Sequence, residues 1–296
     1  MYSAPLYFIA FLPAVMILYQ LCPQKFRKYV LLLANYAFFY TWSKFFLVYQ
    51  VITMVITYVS SKIIDHTLNK KNKKFILFLA IVINLGVLVI LKYTNFFGEN
   101  IFAIFHQPFT PVRLIAPIGI SYYTLQMVSY LMDISSGKIH ADHSIVDFAV
   151  YASFFPTLIQ GPITRFNEIK DSILACNPIT YQNLKFGSQR ILFGLMKKMI
   201  IADRLDPAVS KIFTSYTQDG LFSLIGAVLC TIQLYMDFSG IVDICLGSAE
   251  IFGIKLPENF RQPFFAENAS DFWRRWHITL GTFLRDYVFY PISLAK

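Results

Sequence analysis

The stretch "FILFLAIVINLGVLVIL", residues 75–91, has no charged side chain in seventeen positions. As a helix it would cover about 26 Å at ~1.5 Å per residue, close to the roughly 30 Å hydrocarbon core of a bilayer. Comparable uncharged runs occupy 1–24, 29–43, 45–61 and 220–236, and more polar candidates lie near 112–132, 145–164 and 186–202. The chain as a whole is 56% hydrophobic and only 15% charged, against roughly 25% charged in soluble domains. Lipid offers no hydrogen-bond partner to irregular backbone, so runs of this length predict helices. The expected fold is an all-α, polytopic integral membrane protein.

The net charge of +9 does not indicate nucleic acid, because the basic residues sit beside apolar runs and form no single stripe. Lys25, Arg27 and Lys28 follow the first run, and the loop "HTLNKKNKK" (66–74) follows the third, whereas the second and third are separated by Lys44 alone. The positive-inside rule then puts the N-terminus outside and both basic loops in the cytoplasm of a cell-membrane protein. The first run lacks a basic n-region and a small-residue cleavage site, so it reads as a retained span. Cys22, Cys176, Cys230 and Cys245 form no CxxC pair and read as packing residues.

Residues 1–94 read as a transmembrane scaffold. From residue 112 onward Pro111, Pro117, Gly119, Pro156, Gly161 and Pro162 interrupt the apolar pattern. Breaks of this kind are tolerated in a membrane where the freed backbone is buried in protein or lines a cavity, which points to the second half as the location of the site. On a helix, Tyr122, Gln126, Ser129, Tyr130 and Asp133 form one polar stripe, either interhelical glue or a cavity wall. In "FFPTLIQGPITRF" (154–166) the Gly-Pro pair breaks a helix beside Gln160 and places Arg165 at a boundary, where it either snorkels or contacts an anionic group.

The segment "TIQLYMDFSGIVDICLG" (231–247) sets Gln233, Asp237, Ser239 and Asp243 in an apolar span. An intramembrane carboxylate needs a partner. The expected partner is an Arg or His of residues 270–287, with a purely structural ion pair as the competing reading. "LPENFRQPFFAENASDFWRRWH" (256–277) begins as a Pro-bounded loop, after which Asn268 or Ser270 can cap a helix bearing Phe272, Trp273, Trp276 and Leu280 on one face and Arg274, His277 and Gly281 on another. An interfacial amphipathic helix explains the tryptophans and arginines. His277 is less well explained. Of five histidines it alone reads as set among perturbing groups in apolar surroundings, with Asp237, Asp271 and Arg274 available to fix its tautomer and tune its pKa. No i, i+4 histidine pair suggests a metal.

"PIGISYYTLQMVSYLMD", "FFPTLIQGPITRF", "QLYMDFSGIVDICLGSAEIFGIKLPENFRQPF" and "DFWRRWHITLGTFLRDYVFYP" together resemble successive blocks of the membrane-bound O-acyltransferases, in family order over residues 112–292. The resemblance is greatest to the bacterial branch that modifies alginate and teichoic acids. It implies a helical bundle around a funnel, where a cytoplasmic acyl thioester, on coenzyme A or an acyl carrier protein, meets an extracytoplasmic hydroxyl without any bound cofactor or metal. The acceptor would be a cell-envelope polysaccharide or a partner extracytoplasmic acetyltransferase.

His277 matches the first of two histidines typical of the family. The sequence ends at Lys296 before the second, usually catalytic one, so the resemblance implies either a fragment of a longer enzyme or a truncated product, in both cases inactive alone. Asp237, Gln233, Ser239, Asp271, Arg274, Arg275, Arg165 and Gln160 are the expected supporting residues around His277. Two other classes stay open: a proton-coupled transporter or lipid-handling protein with Asp237, Asp243 and His277 as a relay, and a noncatalytic scaffold for envelope enzymes.

Overall fold

The computed structural model describes residues 6–42, 44–114, 119–158, 160–215 and 220–294. Pro117, the first five residues of the opening run and Lys296 lie outside the described residues. The described residues are mainly helical, joined by irregular segments, and their one β feature is an isolated antiparallel bridge, Phe260 to Trp276.

A π-helical turn, Tyr7–Phe11, leads into α1 (Leu12–Leu21). Then come α2 (Gln24–Trp42), α3 (Lys44–His66), α4 (Lys70–Ile104), α5 (Ile120–Ser135), α6 (Ile145–Ala152), α7 (Phe166–Ala175) and α8 (Tyr181–Leu195). α8 passes through a π-helical segment, Met196–Ala202, into α9 (Asp203–Ser215), followed by α10 (Gly220–Ile251), α11 (Ala269–Arg275), α12 (Ile278–Phe283), a second π segment (Leu284–Phe289) and α13 (Tyr290–Ser293). Leu47–His66, Lys70–Ile104 and Gly220–Ile251 are long and apolar enough to cross a membrane. Their outer faces suit lipid: Phe75, Phe78, Leu79 and Val82 on α4, and Leu224, Val228 and Leu234 on α10, are exposed. In water such a surface would be an aggregation hazard.

Of the more polar candidate spans, 145–164 is not one. Only Ile145–Ala152 is helical, because Pro156 and Gly161-Pro162 cannot continue the i to i−4 ladder. Candidate 186–202 is the end of α8 plus its π segment, and 112–132 contains α5 from Ile120 onward, with residues 115–118 outside the described residues.

The chain forms two compact units. One comprises Leu32–Ile159 and Arg165–Asn167, the other Met1–Leu31, Gln160–Thr164 and Glu168–Lys296. In the first, α3, α4 and α5 pack side by side and turn their few polar groups inward. Asn84 of α4, fully buried, bonds Thr57 of α3 at 3.3 Å, and Tyr123 of α5 donates to the Gln50 carbonyl at 3.1 Å. The irregular segment after α6 is satisfied by Asn35, whose Oδ1 accepts from Phe155 N at 3.0 Å and whose Nδ2 donates to Ser153 Oγ at 3.1 Å. The α5 stripe acts here as glue: Gln126 reaches the Tyr151 carbonyl, Tyr130 meets His143, and Asp133 pairs with Lys138.

The second unit is organised by α8 against α10. Gly187 meets Gly247 and Gly194 meets Gly240, so the two helices run antiparallel with their backbones nearly touching. A methyl on Gly247 would lie 2.6 Å from the Gly187 carbonyl oxygen, and one on Gly194 would lie 2.5 Å from that of Gly240. Gly247→Ala is therefore expected to force the helices apart, costing about 1–3 kcal/mol as overpacking does. The check is the thermal midpoint of detergent-solubilised protein; an unchanged midpoint would show that the contact is not tight.

Candidate functional site

The antiparallel register of α8 and α10 brings opposite charges together. Midway between the two glycine contacts, Arg190 of α8 faces Asp243 of α10, its Nε 3.1 Å and Nη2 3.0 Å from Oδ1. Arg190 also grips Glu258 through two bonds of 2.6 Å, and Lys197 Nζ sits 2.7 Å from the other Asp243 oxygen. These two cations and two carboxylates form a neutral quartet, in which Asp243 is buried. Nearly two turns earlier on α10, Lys198 bridges Asp237 at 2.5 Å and Asp203 at 2.6 Å.

The carboxylates of α10 thus take their partners from α8 and the π segment that follows it, not from residues 270–287. The reason is distance: glycine packing leaves only a side-chain length between α8 and α10 along this stretch. Gln233 donates to Asp206 at 3.4 Å, and Ser239 is buried beside Gly240. Gln160 is half-buried in the irregular segment of the same unit, whereas Arg165 belongs to the other unit.

Asn268 caps α11 as expected, accepting from Asp271 N at 2.9 Å. Asp271 then pairs with Arg275 at 2.8 Å and lies 4.0 Å from the exposed Arg274. The helix does not continue through His277, however. Trp276 is extended (φ −105°, ψ 127°) and His277 is left-handed (φ 45°, ψ 52°), after which α12 starts afresh. Arg274, His277 and Gly281 therefore do not form a single helical stripe. The break is imposed from the loop that follows α10. Arg261 N donates to the Arg275 carbonyl and Ile278 N to the Asn259 carbonyl, both at 3.0 Å, and the rings of Phe260 and Trp276 meet edge to face.

His277 lies against the Phe238 ring at 5.0 Å, edge to face, and Phe238 in turn meets Phe260 edge to face at 5.1 Å. Burial pushes its pKa down to about 4, so the imidazole is neutral near pH 7. A neutral imidazole has a lone pair with which to accept a proton. Asp237 and Asp271, read from sequence as its company, are engaged by Lys198 and Arg275 respectively.

His143, one of the four histidines that the sequence does not single out, has a buried side chain between α5 and α6. Its Nε2 lies 2.6 Å from the Tyr130 hydroxyl, its ring packs against Phe166, and burial lowers its pKa. Among the described residues no group of three metal-ligating side chains comes together.

The profile of "MBOAT, membrane-bound O-acyltransferase family" matches residues 120–296, which contain α5 through α13 and His277. A Pseudomonas aeruginosa protein named "Probable alginate O-acetylase" is 35% identical over 99% of this chain and 57% of its own length. The "Peptidoglycan O-acetyltransferase" of Helicobacter pylori is 33% identical over 99% of this chain and 62% of its own. The "Teichoic acid D-alanyltransferase" of Bacillus subtilis is 33% identical over 62% of this chain and 47% of its own. The chain spans about three-fifths of the length of the O-acetylating relatives. With a family profile matching more than half of its residues, this chain belongs to the membrane-bound O-acyltransferase family.

Proposed function

We propose that the protein of which this chain is all or part is a multi-pass O-acyltransferase of the cell membrane, with its N-terminus outside. It moves an acetyl group from a cytoplasmic thioester, acetyl-CoA or an acyl carrier protein, to a hydroxyl of an envelope polysaccharide, directly or through a partner extracytoplasmic acetyltransferase. The observation that carries this reading is a half-buried imidazole, set edge to face against Phe238, at the position where the family motif "WRRWHITL" has its histidine. Acetyl is favoured over D-alanyl because the matches to the two O-acetylating relatives cover 99% of the chain, against 62% for the D-alanyltransferase.

In the chemistry this implies, the acceptor hydroxyl oxygen forms a bond to the thioester carbonyl carbon and the C–S bond breaks. His277 orients that hydroxyl or takes its proton, which finally leaves on the thiol. Asp237, Gln233, Ser239, Asp271, Arg274, Arg275 and Gln160 are supporting residues in this reading. A relay through Asp237 and Asp243 is disfavoured because both carboxylates are held by cations, one by Lys198 and the other by Arg190 and Lys197.

The test is thiol release. Membranes from cells expressing the protein should convert acetyl-CoA to free thiol in step with ester formed on polysaccharide, above control membranes. Proton-coupled solute movement with no thiol released would establish the transporter instead.

A further inference from the structure

We propose that Asn259 and Thr279 are positioning residues for His277, a clasp that holds the chain in its break and so sets where the imidazole points. This rests on His277 having the role just given. Nothing local calls for the break, since "FWRRWHITL" contains neither Gly nor Pro and a continuous helix is the default for such a run. A left-handed residue with a side chain costs of order 1 kcal/mol and persists only where its surroundings over-determine it.

The surroundings here do so. Asn259 is fully buried, its carbonyl accepts from Ile278 N, and its Oδ1 accepts from Thr279 N at 3.1 Å and from Thr279 Oγ1 at 2.6 Å. The same Thr279 hydroxyl accepts from Ile163 N at 3.0 Å, just beyond the Gly161-Pro162 break. The preceding residue, Glu258, is anchored by Arg190, which is itself fixed to Asp243. One hydroxyl and one carboxamide thus join three segments within two residues of His277. Were the clasp lost, helix could propagate through Trp276 and swing the imidazole onto a different face.

Two readouts test this, one of them independent of catalysis. In membranes, the rate at which diethyl pyrocarbonate modifies His277, followed by mass spectrometry, should rise severalfold in Thr279→Val and Thr279→Ala and stay at the parent rate in Thr279→Ser. Exposed His140 serves as the internal reference. In the thiol-release assay Thr279→Val should lower kcat about tenfold or more, as a misplaced group does, with KM for acetyl-CoA unchanged. Thr279→Ser should retain activity, and Thr279→Val should add no further loss in a His277→Ala background. Parent-like modification of His277 in both Thr279→Val and Thr279→Ala, or losses that multiply with His277→Ala, would overturn the clasp. Absence of thiol release in the parent protein would overturn the proposed function while leaving the modification result to decide the clasp. If Thr279→Val does not insert, the smaller Thr279→Ala decides by the same readouts.

Discussion

His277→Ala is expected to lower acyl transfer at least about tenfold, with normal insertion into the membrane. A general acid or base contributes roughly 10²- to 10⁴-fold, so tenfold is the floor for a residue that orients the acceptor without itself carrying the proton. Alanine retains the strained left-handed backbone at this position, so the loss reports on the ring. The pH dependence gives a second reading of the same group. Burial holds the folded imidazole down to about 4, below its ordinary value near 6.5, so transfer limited by neutral His277 should lose its acid limb near pH 4.

The sign for stability is the same. Between pH 6.5 and about 4 the unfolded chain binds the proton and the folded one does not, so His277 makes the protein less stable as pH falls through that window. His277→Ala should flatten that slope. Transfer unchanged in His277→Ala would reduce the residue to packing, and an acid midpoint near 6.5 would mean that the ring is solvated in the working protein.

Sequence disclosed the long apolar helices and a local cap, but not where packing breaks a helical pattern. The charge-free run 75–91 became the middle of α4, and Asn268 caps α11 because an Asn before an apolar stretch satisfies orphan amides wherever it occurs. The break at Trp276 and His277 was illegible, since it is imposed by Asn259 and Arg261 from a loop fifteen or so residues earlier and leaves no Gly or Pro behind. The burial of His143 was equally illegible, since it comes from Tyr130 and Phe166, which are distant enough in sequence to leave no local pattern.

The partner of Asp243 could have been found. "GSQRILFG" (187–194) and "GIVDICLG" (240–247) share the same glycine spacing, each with its charged residue three positions after the first glycine. Two such segments packed antiparallel, glycine on glycine, must set Arg190 across from Asp243. What the pattern could not give was that these two helices are neighbours.

That pairing makes Asp243→Ala the substitution with the largest expected cost in stability. Removing the carboxylate leaves Lys197, whose side chain is only 12% exposed, without its anion, and leaves Arg190 with Glu258 alone. Breaking a buried pair by deleting one partner costs about 3–5 kcal/mol, mostly the price of the uncompensated charge. Arg190 is about one-third exposed, so water offsets its share and the lower end of that range is the expectation. Arg190→Met should cost less, because Asp243 keeps Lys197 at 2.7 Å.

The ordering discriminates between mechanisms. If Asp243 and its cations lock α8 to α10, Asp243→Asn should lower the thermal midpoint in detergent, and any loss of transfer should track the loss of folded protein. Asp243→Leu combined with Lys197→Met and Arg190→Met should recover part of the midpoint, since of the quartet it leaves only Glu258, whose side chain is one-third exposed and solvated by water. If Asp243 were a proton relay, Asp243→Asn would abolish activity at full stability and the triple variant would be dead however well it folded. Equal midpoints for the parent protein and Asp243→Asn, with transfer abolished, would therefore rule out the ion lock and return Asp243 to the chemistry.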